Sequence, residues 1–217
     1  MSPQQAANAT ARSERAELCD LLLEVGPDAP TLCTGWSTRD LAAHLVIREG
    51  RPDAAAGIVV GPLAGYTARV QDQVAHEDFR HLVQRVRGGP PVWTLLWIGP
   101  VDAAVNTLEF FVHHEDVRRA RDSWVPRELP EPVIAQLWSA VNRGGKLLAR
   151  RLPVGVVVRP TDGPRPDIDL RLADGSSSVT LVGPVAECIL ALYGRPTQGL
   201  MIDGTAADVA AFHPEGP

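Results

Sequence analysis

The chain has 217 residues, of which 45% are hydrophobic and 22% are charged. This is the composition of a globular protein, and it excludes a disordered or fibrous chain. The formal charge of -5 argues against nucleic-acid binding, which requires a basic surface. No apolar run approaches the roughly 20 residues that cross a bilayer, and the first residues lack the basic and apolar stretches of a secretory signal. We therefore expect a cytoplasmic protein that binds neither nucleic acid nor membrane.

The three cysteines, Cys19, Cys33 and Cys188, are widely spaced and form no CxxC pair. Their spacing predicts neither a disulfide framework nor a zinc knuckle built from thiolates. Cys19 and Cys188 stand beside leucine or isoleucine in helical patterns. We predict that these two are small buried hydrophobic residues.

Apolar residues at helical spacing predict five helices in the first part of the chain. The first covers residues 4–25. The second begins at the sequence STRD, a capping-box pattern in which Ser37 is the N-cap and Asp40 is the third helical residue. The other three are predicted over residues 62–87, 101–121 and 131–151. Helices with one apolar face and short connections pack most economically as an antiparallel bundle.

After residue 151 the apolar spacing changes from helical to alternating. Alternation over residues 154–158, 168–172 and 179–181 predicts three strands, with DG turn dipeptides between them. A helix over 184–193, a strand near 199–203 and a helical turn over 205–212 follow. The predicted fold is therefore mainly α, with a helical domain (residues 1–151) followed by a small α+β domain (residues 152–217).

The fourth predicted helix carries a candidate metal site. At about 100° per residue, Glu109, His113 and Asp116 share one face, whereas His114 points away from it. A carboxylate and an imidazole four residues apart can both reach one ion. Asp116 has three interpretations: an ordinary solvated acid, a group that orients a metal-binding imidazole by hydrogen bonding, or an alternative metal ligand that closes the coordination sphere.

The second predicted helix supplies another candidate ligand. His44 lies between Leu41 and Ile47 on a helix that is apolar around most of its circumference, so we expect its side chain to point into the bundle. An antiparallel bundle can place His44 opposite Glu109 and His113. Two imidazoles and one carboxylate with an open position form the ligand set of catalytic zinc, and they also suit iron, nickel or manganese.

The same residues allow simpler interpretations. His44 alone fits a hydrogen-bonded core histidine, and Glu109 with His113 fits a surface pair. His76 and His81 lie on a polar segment, where we expect them to be solvated.

Three segments resemble one known family. Residues 35–45, GWSTRDLAAHL, resemble the W-[ST]-x-x-[DE]-L-x-x-H-[LIV] segment of the DinB-like metal proteins. Residues 106–116, NTLEFFVHHED, are similar to the E-x-x-x-H-x-x-D helix of the actinobacterial mycothiol-dependent maleylpyruvate isomerase group within that superfamily. The tail, with VGP at 182–184, LYGRP at 192–196 and DG at 203–204, is similar to the C-terminal domain of the same group.

The resemblance implies a DinB-like antiparallel four-helix bundle that carries zinc. Its metal ligands would be His44, Glu109 and His113. Arg195 matches an arginine that the family associates with the active site, where it would pair with a substrate carboxylate. The stretch HHEDVRRA and the short tail distinguish this chain from the isomerase itself.

The function predicted on these grounds is that of a divalent-metal enzyme, with zinc as the expected metal and mycothiol as the thiol cosubstrate. The metal would activate the thiol for attack on a small electrophile, as in a mycothiol-dependent isomerase or thiol transferase. Two alternatives stay open: a non-catalytic metal-binding or stress-response protein, and a metal-free bundle. The sequence makes no prediction of the oligomeric state.

Overall fold

A computed structural model of the chain describes residues 3–51, 53–55, 61–90, 103–150, 152–166 and 168–212. The helices are α1 (Pro3–Val25), α2 (Thr38–Gly50), α3 (Ala64–Ala75), α4 (Phe79–Gly88), α5 (Ala103–Arg118), α6 (Glu131–Ala149), α7 (Val185–Leu192) and α8 (Ala206–Ala211). The strands are β1 (Gly155–Pro160), β2 (Leu170–Ala173), β3 (Ser178–Gly183) and β4 (Met201–Asp203). A helical part followed by a small α+β part is the predicted fold class, which is thereby confirmed.

Helix α2 begins where the capping-box pattern places it. The Ser37 N–H donates to the Asp40 carboxylate at 2.8 Å, and the Asp40 N–H donates to the Ser37 hydroxyl at 3.4 Å. These two reciprocal bonds satisfy donors that a helix start would otherwise leave without partners. The start of α2 is therefore fixed by local chemistry.

The single helix predicted over residues 62–87 is wrong, because this stretch contains two helices. Helix α3 ends at Ala75, and Asp78, with an extended ψ of 127°, is the N-cap of α4. Its carboxylate accepts from the His81 N–H at 2.9 Å. The apolar spacing continues from α3 into α4, so it does not reveal where one helix ends and the next begins. In the sequence, only the capping residue Asp78 indicates that boundary.

The chain divides into two compact units. The helical unit comprises residues 12–102 and 113–122, and the sheet unit comprises residues 1–11, 103–112 and 123–217. Helix α5 contributes its first ten residues to the sheet unit and the rest to the helical unit. The domain boundary predicted between residues 151 and 152 stays a prediction.

In the helical unit, α2 packs against α3 and α4. The Arg15 guanidinium in α1 donates to both oxygens of Glu49 in α2 and to the Val86 carbonyl of α4. Fully buried leucines of α1, α2 and α4 form the apolar interior: Leu18, Leu22, Leu41, Leu45 and Leu82. Within the described part of the chain, no helix combines the length and apolarity needed to cross a bilayer.

The sheet unit is built on four strands in the order β2-β1-β3-β4. Strand β1 is antiparallel to β2 and parallel to β3, and β3 is antiparallel to β4. Alternate residues of β1 and β3 join one apolar core with α6 and α7: Val156, Val158, Val179 and Leu181. The burial of β3 alternates as predicted. In β1 the alternation is not found, because Val157 is buried as well as Val156 and Val158.

Candidate metal centre

His44 lies on α2 with its ring largely buried, at 8% exposure. Its imidazole packs on the indole of Trp36, with ring centroids 4.9 Å apart. The imidazole of His113 lies on another side, with ring centroids 5.5 Å apart and an edge-on angle of 70°. The burial expected for His44 is therefore found, and its nearest ring neighbours are an indole and a second histidine.

His113 and Asp116 lie one turn apart on α5 and are hydrogen-bonded. The His113 Nδ1 atom is 3.0 Å from the Asp116 Oδ2 atom. Asp116 is fully buried, while the His113 side chain is 12% exposed. The interpretation of Asp116 as a solvated acid is thus wrong, because its carboxylate is enclosed and bonded to the imidazole.

Two of the three residues predicted as metal ligands converge within the helical unit. One ring nitrogen of His44 and one of His113 lie within 4.8 Å of each other. Glu109 precedes His113 by one turn on the same helix, and both are partly buried. Two imidazole nitrogens and a carboxylate oxygen are a donor set for a divalent transition metal. Their assignment as metal ligands stays a prediction.

The buried thiol of Cys33 belongs to the same surroundings, and sequence reasoning missed it. Its Sγ atom is 3.2 Å from Asp116 Oδ2 and 4.0 Å from His113 Nδ1. Cys33, His113 and Asp116 form a second group whose donor atoms lie within 4.8 Å of one another. Cys33 is separated from Asp116 by 83 positions, and no spacing pattern connects the two.

The other two thiols, Cys19 and Cys188, are buried. Burial raises the pKa of Cys19 to about 11 and that of Cys188 to about 12. Both thiols therefore stay protonated and uncharged near neutral pH. An uncharged buried thiol behaves as a small hydrophobic side chain. The prediction for these two cysteines is confirmed.

His114 points away from His113, as the helical angle predicts. Its Nδ1 atom is 3.2 Å from the Glu14 carboxylate, in a buried pair. The next residue, Glu115, forms a buried ion pair with Arg119 at 2.6 Å. His114 and Glu115 of α5 thus form buried polar pairs and are not solvated charges.

Three candidates from the sequence remain: His76, His81 and Arg195. His76 and His81 are exposed, as expected. Arg195 belongs to the sheet unit, where the residue is 6% exposed and its guanidinium donates to the Tyr193 carbonyl at 2.9 Å. Its predicted pairing with a substrate carboxylate stays a prediction.

Comparison with known proteins rests on structure alone, since no family model and no curated protein matches the chain. The fold is similar to that of mycothiol-dependent maleylpyruvate isomerase, with a TM-score of 0.56 and 16% sequence identity. It is also similar to a histidine-to-alanine mutant of such an isomerase, with a TM-score of 0.62 and 15% identity. Each match covers 100% of this chain and 97% of the other. The chain therefore shares with this isomerase a fold in which a helical part is followed by a small α+β part.

Proposed function

We propose that this protein is a divalent-metal enzyme, with zinc as its metal, that uses mycothiol to act on a small electrophile. The observation that carries the proposal is the approach of two imidazoles in the helical unit, since donor nitrogens of His44 and His113 lie within 4.8 Å of each other. Glu109, one turn before His113 on α5, is the proposed third ligand. The fold it shares with mycothiol-dependent maleylpyruvate isomerase supports the thiol and the reaction class. The proposed reaction is isomerisation or thiol transfer.

The donor set suits such an ion. Catalytic zinc takes three protein ligands of the histidine and carboxylate type and keeps a position for water or substrate. Ligating histidines almost always give their second ring nitrogen to a carboxylate or carbonyl. The hydrogen bond between His113 Nδ1 and Asp116 Oδ2 supplies that arrangement, so Nε2 is the nitrogen assigned to the metal.

Bound there, zinc would supply the Lewis acidity that stabilises a thiolate at neutral pH. The chain's own residues hold and shape the site. His44 and His113 each provide a nitrogen, and Glu109 provides an oxygen. Asp116 fixes the tautomer of His113, and the indole of Trp36 restricts the ring of His44.

Metal analysis of the purified protein tests the ligand set. The wild type, prepared without chelator and dialysed against zinc, is expected to retain one equivalent of metal. His44→Ala should retain almost none, because a three-ligand site that loses a ligand loses most of its affinity. His81→Ala, which changes an exposed histidine of the same unit, is the matched control and should bind like the wild type. Full occupancy of His44→Ala would refute the ligand set.

Turnover separates the enzyme from a non-catalytic metal-binding protein. Mycothiol consumption is followed with a panel of small electrophiles, including unsaturated carboxylates. Zinc-loaded wild type and His81→Ala are expected to accelerate the loss of thiol, whereas His44→Ala is not. Stoichiometric zinc without any acceleration across the panel would favour the non-catalytic alternative.

A further inference from the structure

The segment before α2 forms a closed loop. Its two ends meet in an isolated antiparallel bridge between Pro30 and Ser37. Inside it, the Thr31 hydroxyl donates to the Trp36 carbonyl at 2.9 Å and accepts from the Cys33 N–H at 3.2 Å. The Trp36 N–H donates to the Cys33 carbonyl at 2.9 Å. These bonds fix the position of Cys33 within the loop.

The same loop contacts both histidines of the candidate metal centre. The Leu32 N–H donates to the Asp116 carbonyl at 3.0 Å, which attaches the loop to α5. Next to it, the Cys33 thiol is 3.2 Å from Asp116 Oδ2. At the other end of the loop, the indole of Trp36 packs on His44. All of these residues belong to the helical unit.

We propose that Cys33 is a positioning residue that acts on His113 through Asp116. The thiol donates to Oδ2, the oxygen that also accepts from His113 Nδ1. Two donors that converge on one buried oxygen hold the carboxylate in a single orientation. That orientation keeps the proton of His113 on Nδ1 and the lone pair on Nε2. This proposal rests on the proposed metal site, to which it adds Cys33 as a positioning residue.

The distances favour a thiol that supports the carboxylate over a thiolate that binds the metal. Sγ is closer to Asp116 Oδ2 than to His113 Nδ1, by 3.2 Å against 4.0 Å. The ring nitrogen that it approaches is the one already bonded to the carboxylate. Direct ligation by sulfur is therefore the competing outcome, and cobalt spectroscopy detects it.

The zinc and cobalt affinities of three variants test whether the Cys33 thiol acts as a hydrogen-bond donor to Asp116. Cys33→Ala removes the donor, Cys33→Ser retains one, and Cys19→Ala removes a buried thiol elsewhere in the same unit. Groups behind a ligand typically change metal affinity by 10–100-fold, so we expect about a 10-fold loss in Cys33→Ala. Cys33→Ser should recover most of that loss, and Cys19→Ala should bind like the wild type. Equal affinity of Cys33→Ala and wild type would overturn the proposal.

A double-mutant cycle tests whether the effect passes through Asp116. Asp116→Asn is expected to weaken metal binding, and Cys33→Ala should add nothing further in that background. An undiminished effect of Cys33→Ala in Asp116→Asn would contradict action through the carboxylate. A sulfur-to-cobalt charge-transfer band in the wild type that disappears in Cys33→Ser would assign the thiolate as a ligand and also contradict it.

Nitrogen NMR of the metal-free protein measures the tautomer of His113. Because this measurement needs no bound metal, it tests the role of Cys33 independently of the proposed function. At a pH where the spectrum shows the ring to be neutral, wild-type His113 should carry its single proton on Nδ1. Cys33→Ala should shift the tautomer equilibrium toward Nε2–H, and Cys33→Ser should restore it. Protonation of wild-type His113 on Nε2 would overturn the inference whether or not any variant folds. A protein with the expected tautomer that binds no metal would refute the proposed function and leave the positioning role intact.

Discussion

Cys19 and Cys33 show how surroundings decide what a buried thiol can do. Both lie in the helical unit and are at most 5% exposed. The Cys19 Sγ atom is 3.8 Å from the Val83 carbonyl, a weak contact, and burial is the main cause of its raised pKa. Cys33 instead meets a carboxylate and an imidazole. One thiol is thus part of the apolar interior, and the other belongs to a polar group with a candidate function.

The raised pKa of Cys19 makes a prediction about alkaline stability. Its pKa rises from 9.0 to about 11 on folding, so above pH 9 the unfolded thiol loses its proton before the folded one does. The stability that the protonated thiol contributes is complete below pH 9 and is lost between pH 9 and 11. We expect the difference in unfolding free energy between wild type and Cys19→Ala to shrink by about 2 kcal/mol over that interval.

Urea unfolding at a series of pH values measures this difference. Val83→Ala is the matched control, because it truncates a buried neighbour that does not titrate, and its cost should be independent of pH. A difference between wild type and Cys19→Ala that stays constant to pH 11 would show that burial does not protect this thiol.

Two adjacent glycines of α6 differ in what surrounds them. A Cβ at Gly144 would have the Leu108 Cδ1 atom as its nearest neighbour, at 3.9 Å, an ordinary contact. A Cβ at Gly145 would lie 2.9 Å from a methyl carbon of buried Leu172 and 3.0 Å from one of Val141. The absence of a side chain at Gly145 therefore lets α6 approach β2, whereas Gly144 has room for one.

Alanine substitutions at these two glycines should change the unfolding free energy in opposite directions. Gly144→Ala is expected to raise the unfolding free energy by about 0.5–1 kcal/mol, because alanine favours the helix over glycine. Gly145→Ala should lower it by about 1 kcal/mol, since overpacking exceeds that gain. Urea unfolding of the two variants beside the wild type is the measurement. An equal increase in both would show that the contact between α6 and β2 is loose.

Local chemistry made parts of the elements predictable. The Ser37–Asp40 capping box fixed the start of α2, and alternation identified β1 and β3. The shared face of α5 placed His113 beside Asp116 because residues one turn apart must be neighbours. The break at Asp78 was missed because apolar spacing runs across it. The Cys33 contact was not predictable, since it depends on how a loop folds back onto a helix far along the chain.

For the whole chain, structural similarity supports the fold, whereas the proposed reaction depends on the residues of the candidate site. At 15–16% identity, similarity over the full length establishes the architecture only. The reaction must be argued from the site, where donor nitrogens of His44 and His113 meet within the helical unit. A metal held by this site binds the folded chain and not the unfolded one, so it must add to the stability of the protein.

Thermal unfolding with and without zinc measures that linkage. At free zinc about 100 times the dissociation constant, the stabilisation is about 2.7 kcal/mol. For a chain of this size, 1 kcal/mol shifts the midpoint by about 2–4 °C, so we expect wild type to melt roughly 5–10 °C higher with zinc than with chelator. His81→Ala should show the same shift, and His44→Ala almost none. A wild-type midpoint that is unchanged by chelation would favour the metal-free bundle, and an undiminished shift in His44→Ala would place the ion elsewhere in the chain.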